Sequence, residues 1–145
     1  MTGGPEKRSL DVLRWGLIPH WATDIKVGFT NINAKAEKIE NRPAFRDAFE
    51  RRHCLAPVDN FYERKKTATG KQPYAVALAD RGLMGLAGLW ANWHSPAGEW
   101  VRSFAVITTK LYELCAELHN RMPVVLGPGT WPTRLGEEPA EPSQL

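Results

Sequence analysis

The sequence predicts an α+β domain with a mostly antiparallel, curved sheet and a few short helices. Segments with strand character outnumber those with a helical period, and short turns join neighbouring strands. Such turns suit antiparallel pairing, because a parallel pair needs a long crossover. The chain has 145 residues, of which 43% are hydrophobic, and this size and composition suit a single domain with its own core.

The first half of the chain carries several short strand signals. Residues 10–16 alternate as a strand does, and residues 22–33 look like a loop around a short extended piece. Residues 53–62 are again extended, and we expect Pro57 to interrupt them. The segment KKTATGKQP that follows has the composition of a hairpin loop leading into PYAVALA.

The strongest strand signals lie in the second half. The segments LMGLAGLWANW and SFAVITT are apolar, β-branched and aromatic enough to be central strands, and the turn HSPAGE joins them. Met122 to Leu126 is expected to form the last strand.

Two helices are predicted. Pro43 suits the first position of a helix, where its missing N–H leaves no bond unmade. Phe45, Ala48 and Phe49 then form a core-facing stripe at positions i, i+3 and i+4. Residues 110–118 form the second helical pattern.

Composition excludes several classes of protein. The two cysteines, Cys54 and Cys115, have apolar neighbours and form no CxxC pair, so a secreted disulfide framework is not expected. With no signal peptide and no apolar run long enough to span a bilayer, we expect a cytoplasmic protein without a membrane partner. Residues 1–136 are expected to form the domain, and 137–145 a disordered acidic tail.

The net charge of +3 permits contact with a phosphate backbone without requiring it. Residues 137–145 hold three of the sixteen acids and no base, so residues 1–136 carry +6. Scattered Lys and Arg often form only a solvated surface, and the charge alone does not decide between the two interpretations.

Three stretches, TNINAKAE (30–37), APVDNFYE (56–63) and ELHNRMPVVL (117–126), place polar groups between apolar neighbours. His119 stands where a helix should end before Pro123, and it is either a general acid or base or a capping residue. Glu63 ends an apolar strand and is either a proton carrier with a raised pKa or an exposed strand end.

Asn33 offers an amide that orients a sugar or an amine, or it is an ordinary turn residue. Lys35 and Arg121 are candidate phosphate contacts, or surface charges. The set of His53, Cys54, Cys115 and His119 has the ligand types of a zinc site. Adjacent residues of a strand point to opposite faces, so His53 and Cys54 are poorly placed to bind one metal. We therefore expect the cysteines to lie in the core and no metal or cofactor to be bound.

Taken in order, the blocks RSLDVLRWGLIPHWA, INAKAE, RPAFRDAF, RRHCLAPVDNFYE, QPYAVAL, GLAGLWANW, ITT and HNRMPVVL resemble the SOS response-associated peptidase (SRAP) family over about Arg8 to Gly136. The resemblance implies capture of abasic sites in single-stranded DNA. In that family an N-terminal cysteine forms a Schiff base with the opened sugar and closes a thiazolidine, which is a stable crosslink. The peptidase activity is self-processing that exposes this cysteine.

The resemblance also implies roles for particular residues. Asn33 would orient the amine and the sugar, Glu63 would shuttle protons, and His119 would assist the Schiff-base chemistry. Lys35 and Arg121 would lie near phosphates. Trp15 and Trp21 would form an aromatic wedge against splayed bases. The expected partner is single-stranded DNA with an abasic site, with no obligate protein partner and with nucleoid association when DNA is bound.

The chain also departs from the family pattern. Position 2 is Thr2 where a cysteine is expected, and the WGLIP block begins only 15 residues in, so we expect the N-terminal strands and the reactive thiol to be absent and crosslinking to be impaired. Arg64 and Arg134 replace tryptophans, and Lys35 replaces an arginine that would grip phosphate with two N–H groups. Residues 111–112 replace Ala-Asn.

Three other interpretations remain open at the level of sequence. The chain is a non-catalytic module that binds single-stranded DNA, a decayed paralogue, or a thiol hydrolase that uses Cys54 or Cys115 with His119. The apolar neighbours of both cysteines argue against a reactive thiol of low pKa.

Overall fold

The computed structural model describes residues 8–67, 70–78, 82–110 and 121–135, with backbone only at 62–67, 71–74, 110 and 121. Its strands are β1 (Arg14–Trp15), β2 (Asn33–Lys35), β3 (His53–Val58), β4 (Asn60–Thr67), β5 (Gly70–Ala77), β6 (Met84–His94), β7 (Trp100–Lys110), β8 (Arg121–Pro123) and β9 (Val125–Leu126). Its α-helices are α1 (Pro43–Arg51) and α2 (Trp131–Arg134), and 3-10 helices span Ile25–Thr30, Ala36–Asn41 and Pro128–Thr130.

The main sheet is built around β6 and β7, which form a long antiparallel hairpin. Strand β3 pairs antiparallel with the outer edge of β6, while β1 and β2 pair parallel with β7. Strands β4 and β5 form a separate antiparallel hairpin. The α+β class and the mostly antiparallel pairing predicted from the sequence are therefore confirmed.

The segment containing β8 and β9 is inserted between the two central strands where they diverge. Strand β8 pairs with β7, and β9 pairs with β6. Between them Val124 donates its N–H to the Ile107 carbonyl at 2.9 Å and accepts from the Ala87 N–H at 2.8 Å. The single strand expected over residues 122–126 is thus two short strands with different partners.

The core lies on one face of the β6–β7 hairpin. Small and branched residues of this face pack against helix α1, whose Phe45 and Ala48 are 2% exposed. The helix begins at Pro43, as predicted from the sequence, and Phe49 packs against the same cluster. The core members from the two strands are Ala87, Leu89, Ala91, Ala105 and Ile107.

Several local predictions were wrong. The first strand covers only Arg14–Trp15, because the preceding Leu10 and Val12 are exposed and do not pack. Pro57 lies inside β3, opposite Gly85, and the interruption of the extended segment falls at Asp59 instead. Residues 25–30 form a 3-10 helix where a loop was expected, since the Asp24 carboxylate accepts from the Lys26 N–H at 2.9 Å and caps it.

Two predicted features lie outside the described residues. The helical pattern predicted over 110–118 lies almost entirely outside the described residues, which resume at 121. The predicted acidic tail 137–145 follows the last described residue. The hairpin expected at KKTATGKQP is confirmed in the backbone pairing of β4 with β5, but residues 65–67 and 70–73, expected in its loop, belong to the two strands.

Candidate functional site

A cleft of about 740 Å³ opens on the main sheet beside strands β2 and β7. Cross-strand register defines its floor, because Phe104, Val106 and Thr108 alternate along β7 with the core residues Ala105 and Ile107. The residues that line it are Trp15, Thr30, Ile32, Asn33, Lys35, Lys38, Arg42, Phe45, Ala56, Val58, Asn60, Phe61, Leu86, Phe104, Val106, Thr108, Met122 and Pro123. The lining is therefore largely apolar, with a few polar groups.

Trp15 forms an aromatic wall of the cleft in a fixed orientation. Its indole N–H donates to the Ile32 carbonyl at 2.9 Å. Its ring lies nearly parallel to that of Phe104, with 6.3 Å between centroids and 10° between planes. Trp15 nonetheless remains 57% exposed. A ring that is anchored and exposed presents a flat surface for stacking at little conformational cost.

A close backbone approach holds this wall in place. Gly16 has a φ of +123°, and a Cβ added to it would lie 2.5 Å from the Gly28 carbonyl oxygen. A Cβ on Gly28 would in turn lie 2.6 Å from the Gly16 oxygen. Only glycines allow the two segments to touch, and this contact brings Ile32 within reach of Trp15.

The two asparagines of the TNINAKAE stretch have different roles. Asn31 is buried, and its side-chain amide donates to the carbonyls of Leu17 at 3.1 Å and Val27 at 3.2 Å. Asn33 is exposed in β2 and lines the cleft. Asn31 thus holds the loop together, while the side chain of Asn33 is exposed at the cleft.

Strand β2 delivers the predicted polar residues to the cleft through its register with β7. Asn33 lies opposite Val106 and Lys35 opposite Thr108, while Ala34 between them is buried in the core. Asn33 and Lys35 are both exposed. The sequence prediction that these two residues lie near one ligand is consistent with their shared position.

Two more cations extend the basic side of the cleft. Lys38 and Arg42 follow β2 through a 3-10 helix, are exposed, and line the cleft together with Lys35. The Arg42 guanidinium lies 5.7 Å from the centre of the Phe45 ring. No Asp or Glu belongs to the described lining, so this side of the cleft favours an anion.

Sequence reasoning missed Lys38, Arg42 and Asn60 as members of the site. The signal for the two cations was present, because 35, 38 and 42 are spaced so that one side of a helical turn carries positive charge. Asn60 begins β4, and only the tertiary fold brings it to the cleft.

The remaining predicted residues are not gathered in the described cleft. Trp21 is 50% exposed in the turn after Pro19 and does not line the cleft. Glu63 is described by its backbone alone, in β4 two residues beyond the lining residue Phe61. Arg121 is likewise described by its backbone, next to the lining residue Met122. His119 lies outside the described residues.

Cys54 has no nucleophilic character. It is 3% exposed, and burial raises the pKa of its thiol to about 11. Beside it the Arg134 guanidinium is buried and donates to the carbonyls of Cys54 and Gly88. A thiol that stays protonated and buried does not act as a hydrolase nucleophile. Cys54 is therefore excluded as the nucleophile of the thiol hydrolase considered from the sequence.

The side chain of His53 makes a contact that supports the fold. One ring nitrogen lies against the Phe49 carbonyl, and burial, together with the charge of Arg134, lowers the pKa of His53 to about 4. The part of the chain that the structure describes holds no cluster of three or more His, Cys, Asp or Glu suited to a metal ion. The same part contains no helix long and apolar enough to cross a membrane.

Several known proteins are similar to this chain in sequence. A model of the SOS response associated peptidase (SRAP) family matches residues 2–145. The abasic site processing protein YoqW of Bacillus subtilis is 42% identical over 118 residues, which are 81% of this chain and 53% of YoqW. HMCES of Xenopus tropicalis, also named as an abasic site processing protein, is 27% identical over 142 residues, covering 83% and 42% of the two chains.

Solved structures show the same architecture. A crystal structure of a Bacteroides thetaiotaomicron protein superimposes with a TM-score of 0.83 at 26% identity, covering 92% of this chain and 62% of that one. A Bordetella bronchiseptica protein gives 0.77 at 30% identity, with 85% and 64% covered. The chain spans about half the length of the YoqW relative and under two thirds of these solved chains.

Proposed function

The chain belongs to the SOS response associated peptidase (SRAP) family, and on that premise we propose that its cleft binds single-stranded DNA at an abasic site. The observation that carries the proposal is the combination of an anchored, exposed tryptophan with a side of three cations in one cleft. Bases stack on flat aromatic surfaces and phosphates pair with cations, so the cleft offers a contact both to the base and to the phosphate of a nucleotide. The relatives YoqW and HMCES are named as abasic site processing proteins, and from those names we take the abasic site as the lesion.

The proposal assigns a role to each part of the cleft. Trp15 stacks on a base next to the lesion, in the space that the missing base leaves open. Asn33 uses its amide to hydrogen-bond the abasic sugar. Lys35, Lys38 and Arg42 contact the phosphates that flank the sugar.

A single strand fits this cleft better than a duplex does. Stacking on Trp15 requires a base face that is not covered by a neighbouring base, and such faces are available in a single strand. The aromatic floor at Phe104 and the largely apolar lining add contacts that a phosphate backbone alone does not use.

The covalent step implied by the family resemblance belongs to an N-terminal cysteine. Cys54 offers no substitute, because it is buried and its thiol pKa is raised. For the described cleft we propose recognition of the lesion, with Glu63 and His119 as the proton carriers of the aldehyde chemistry.

A binding measurement tests the proposal. Fluorescence anisotropy with a labelled single strand that carries one abasic site is compared with the same strand undamaged and with a duplex. We expect tighter binding to the damaged single strand, and Asn33→Ala to remove most of the preference for the lesion. The variant Asn31→Ala is not a suitable control, since Asn31 supports the loop.

The alternative function is a non-catalytic module that binds single-stranded DNA without regard to the lesion, and the same titration separates the two. Equal affinity for damaged and undamaged single strands, unchanged by Asn33→Ala, favours this alternative. Failure to bind either strand at low salt contradicts both functions.

A further inference from the structure

The sheet face that floors the cleft continues beyond it as an aromatic and basic strip. Directly opposite residues of β6 and β7 share a face, and three such pairs extend this face past the cleft. Trp90 lies opposite Phe104, Asn92 opposite Arg102, and His94 opposite Trp100. Of these six residues only Phe104 lines the cleft.

Ring contacts and cross-strand register together connect the cleft to the far end of this strip. The Trp15 ring stacks with Phe104, whose cross-strand neighbour is Trp90. The guanidinium of Arg102 lies 6.0 Å from the centre of the Trp90 ring, in a cation–π arrangement. A path of flat and cationic side chains therefore leads from Trp15 along the hairpin.

The far end of the strip is an exposed aromatic platform. The rings of His94 and Trp100 lie 4.6 Å apart with 31° between their planes. Trp100 is 65% exposed, one of the most exposed large hydrophobic residues in the described chain. Keeping an indole in water is unfavourable, and a pair of exposed aromatic rings offers a flat surface on which a base can stack.

The charge of the strip suits a polyanion. Arg102 is exposed, and the guanidinium of Arg52 also lies near Trp90, 5.8 Å from the ring centre. Arg52 also pairs with Asp47, so Arg102 is the principal cation of the strip. Strand β7 itself contains no acid, and Glu99, which is exposed, directly precedes it in the turn with Ser95.

From this continuity we propose that the single strand bound in the cleft leaves it along the strip, with flanking bases stacked on Trp100 and His94 and a phosphate at Arg102. The inference rests on the proposed function of the cleft. Trp100 lies four positions before Phe104 in β7, a span of about 14 Å at the rise of a β-strand, which is long enough for several nucleotides.

The test varies the length of the DNA and the protein surface together. Single strands of about 5 and about 15 nucleotides, each with one abasic site, are titrated against the wild type and Trp100→Ala. Two versions of the longer strand carry the lesion near the 5′ or the 3′ end. We expect Trp100→Ala to weaken binding of the longer strand about tenfold, for one lesion position only, and to leave the short strand unchanged.

Two further variants sharpen the result. Phe29→Ala removes another exposed aromatic, 61% accessible and outside both strip and cleft, and is expected to bind both lengths like the wild type. Arg102→Gln is expected to lower the salt dependence of binding for the longer strand alone, by about one phosphate contact. Thermal unfolding of each variant verifies that it is folded.

The outcomes separate this inference from the proposed function. If wild type binds neither length, the function of the cleft is wrong. If wild type binds both and Trp100→Ala weakens neither, or weakens both equally, the strip is not the path of the strand and the inference fails. A change in oligomeric state of Trp100→Ala without any change in DNA binding also overturns it, because the platform is then a protein contact.

Discussion

At the scale of single residues, burial decides which polar side chains are available for chemistry. Asn31 and Asn33 are two positions apart, yet one is enclosed by backbone carbonyls and the other faces the cleft. His53 and Cys54 have ligand and nucleophile chemistry, and burial shifts the pKa of each so that the neutral form is kept. Chemical type alone therefore did not identify the site.

The lowered pKa of His53 predicts a loss of stability in mild acid. Its pKa is about 4 in the folded chain against 6.5 for the free side chain, so the unfolded state takes up the proton first. Stability is therefore complete above pH 6.5 and falls as the pH drops towards 4, by up to roughly 3 kcal/mol. We expect the melting temperature of the wild type to fall across this window.

The variant His53→Gln is the control, since its side chain does not titrate and still hydrogen-bonds. We expect its melting temperature to change less than that of the wild type between pH 6.5 and 4. The pKa of Asp47 is lowered chiefly by its hydrogen bond with Arg52, so most of its effect on stability falls below its ordinary value of 3.8 and is shared by wild type and variant. Parallel pH profiles for wild type and variant would show that His53 is not the group responsible.

At the scale of elements, the cleft wall depends on two chain segments that touch at Gly16 and Gly28. Gly28→Ala places a methyl 2.6 Å from the Gly16 carbonyl oxygen, so one segment must move. We expect a loss of about 1–3 kcal/mol in urea unfolding. We also expect weaker DNA binding under conditions where the variant is folded, because the Trp15–Ile32 hydrogen bond is displaced.

Gly129→Ala is the matched control, since a Cβ there meets no atom within 4 Å. It should unfold and bind DNA like the wild type. If Gly28→Ala loses stability and yet binds DNA normally when folded, the close approach supports the fold without positioning Trp15.

Elements with strong local patterns were predictable, and those set by distant partners were not. Helix α1 follows from Pro43 and its apolar stripe, and the central hairpin follows from two apolar runs around HSPAGE. By contrast, β1 and β2 are short and pair parallel with β7, about 70 to 90 residues away, which no local period encodes.

The site divides in the same way. Asn33 and Lys35 stood out because polar groups lie between apolar neighbours, and Trp15 stood out through the family resemblance; all three line the cleft. Asn60 enters through the start of β4, which no spacing in the sequence relates to β2. The strand register aligns β2 with the end of β7, and so makes one cleft from separate motifs.

At the scale of the whole molecule, a net charge of +3 is too small to indicate nucleic-acid binding by itself. The distribution of charge is more informative, because three cations and no carboxylate occur in the described lining of the cleft. Binding of single-stranded DNA should therefore weaken steeply with salt, as counterions are released from the phosphates that the protein contacts.

This distribution predicts the effect of removing one cation from the cleft. For single strands, each phosphate contact contributes about 0.7 to the slope of log K against log salt concentration. Lys38→Gln should therefore lower the magnitude of the slope by about 0.7, while Lys26→Gln, an exposed lysine outside the lining, should leave it unchanged. Equal slopes for both variants would mean that the overall charge attracts the DNA and that the basic side of the cleft does not touch its phosphates.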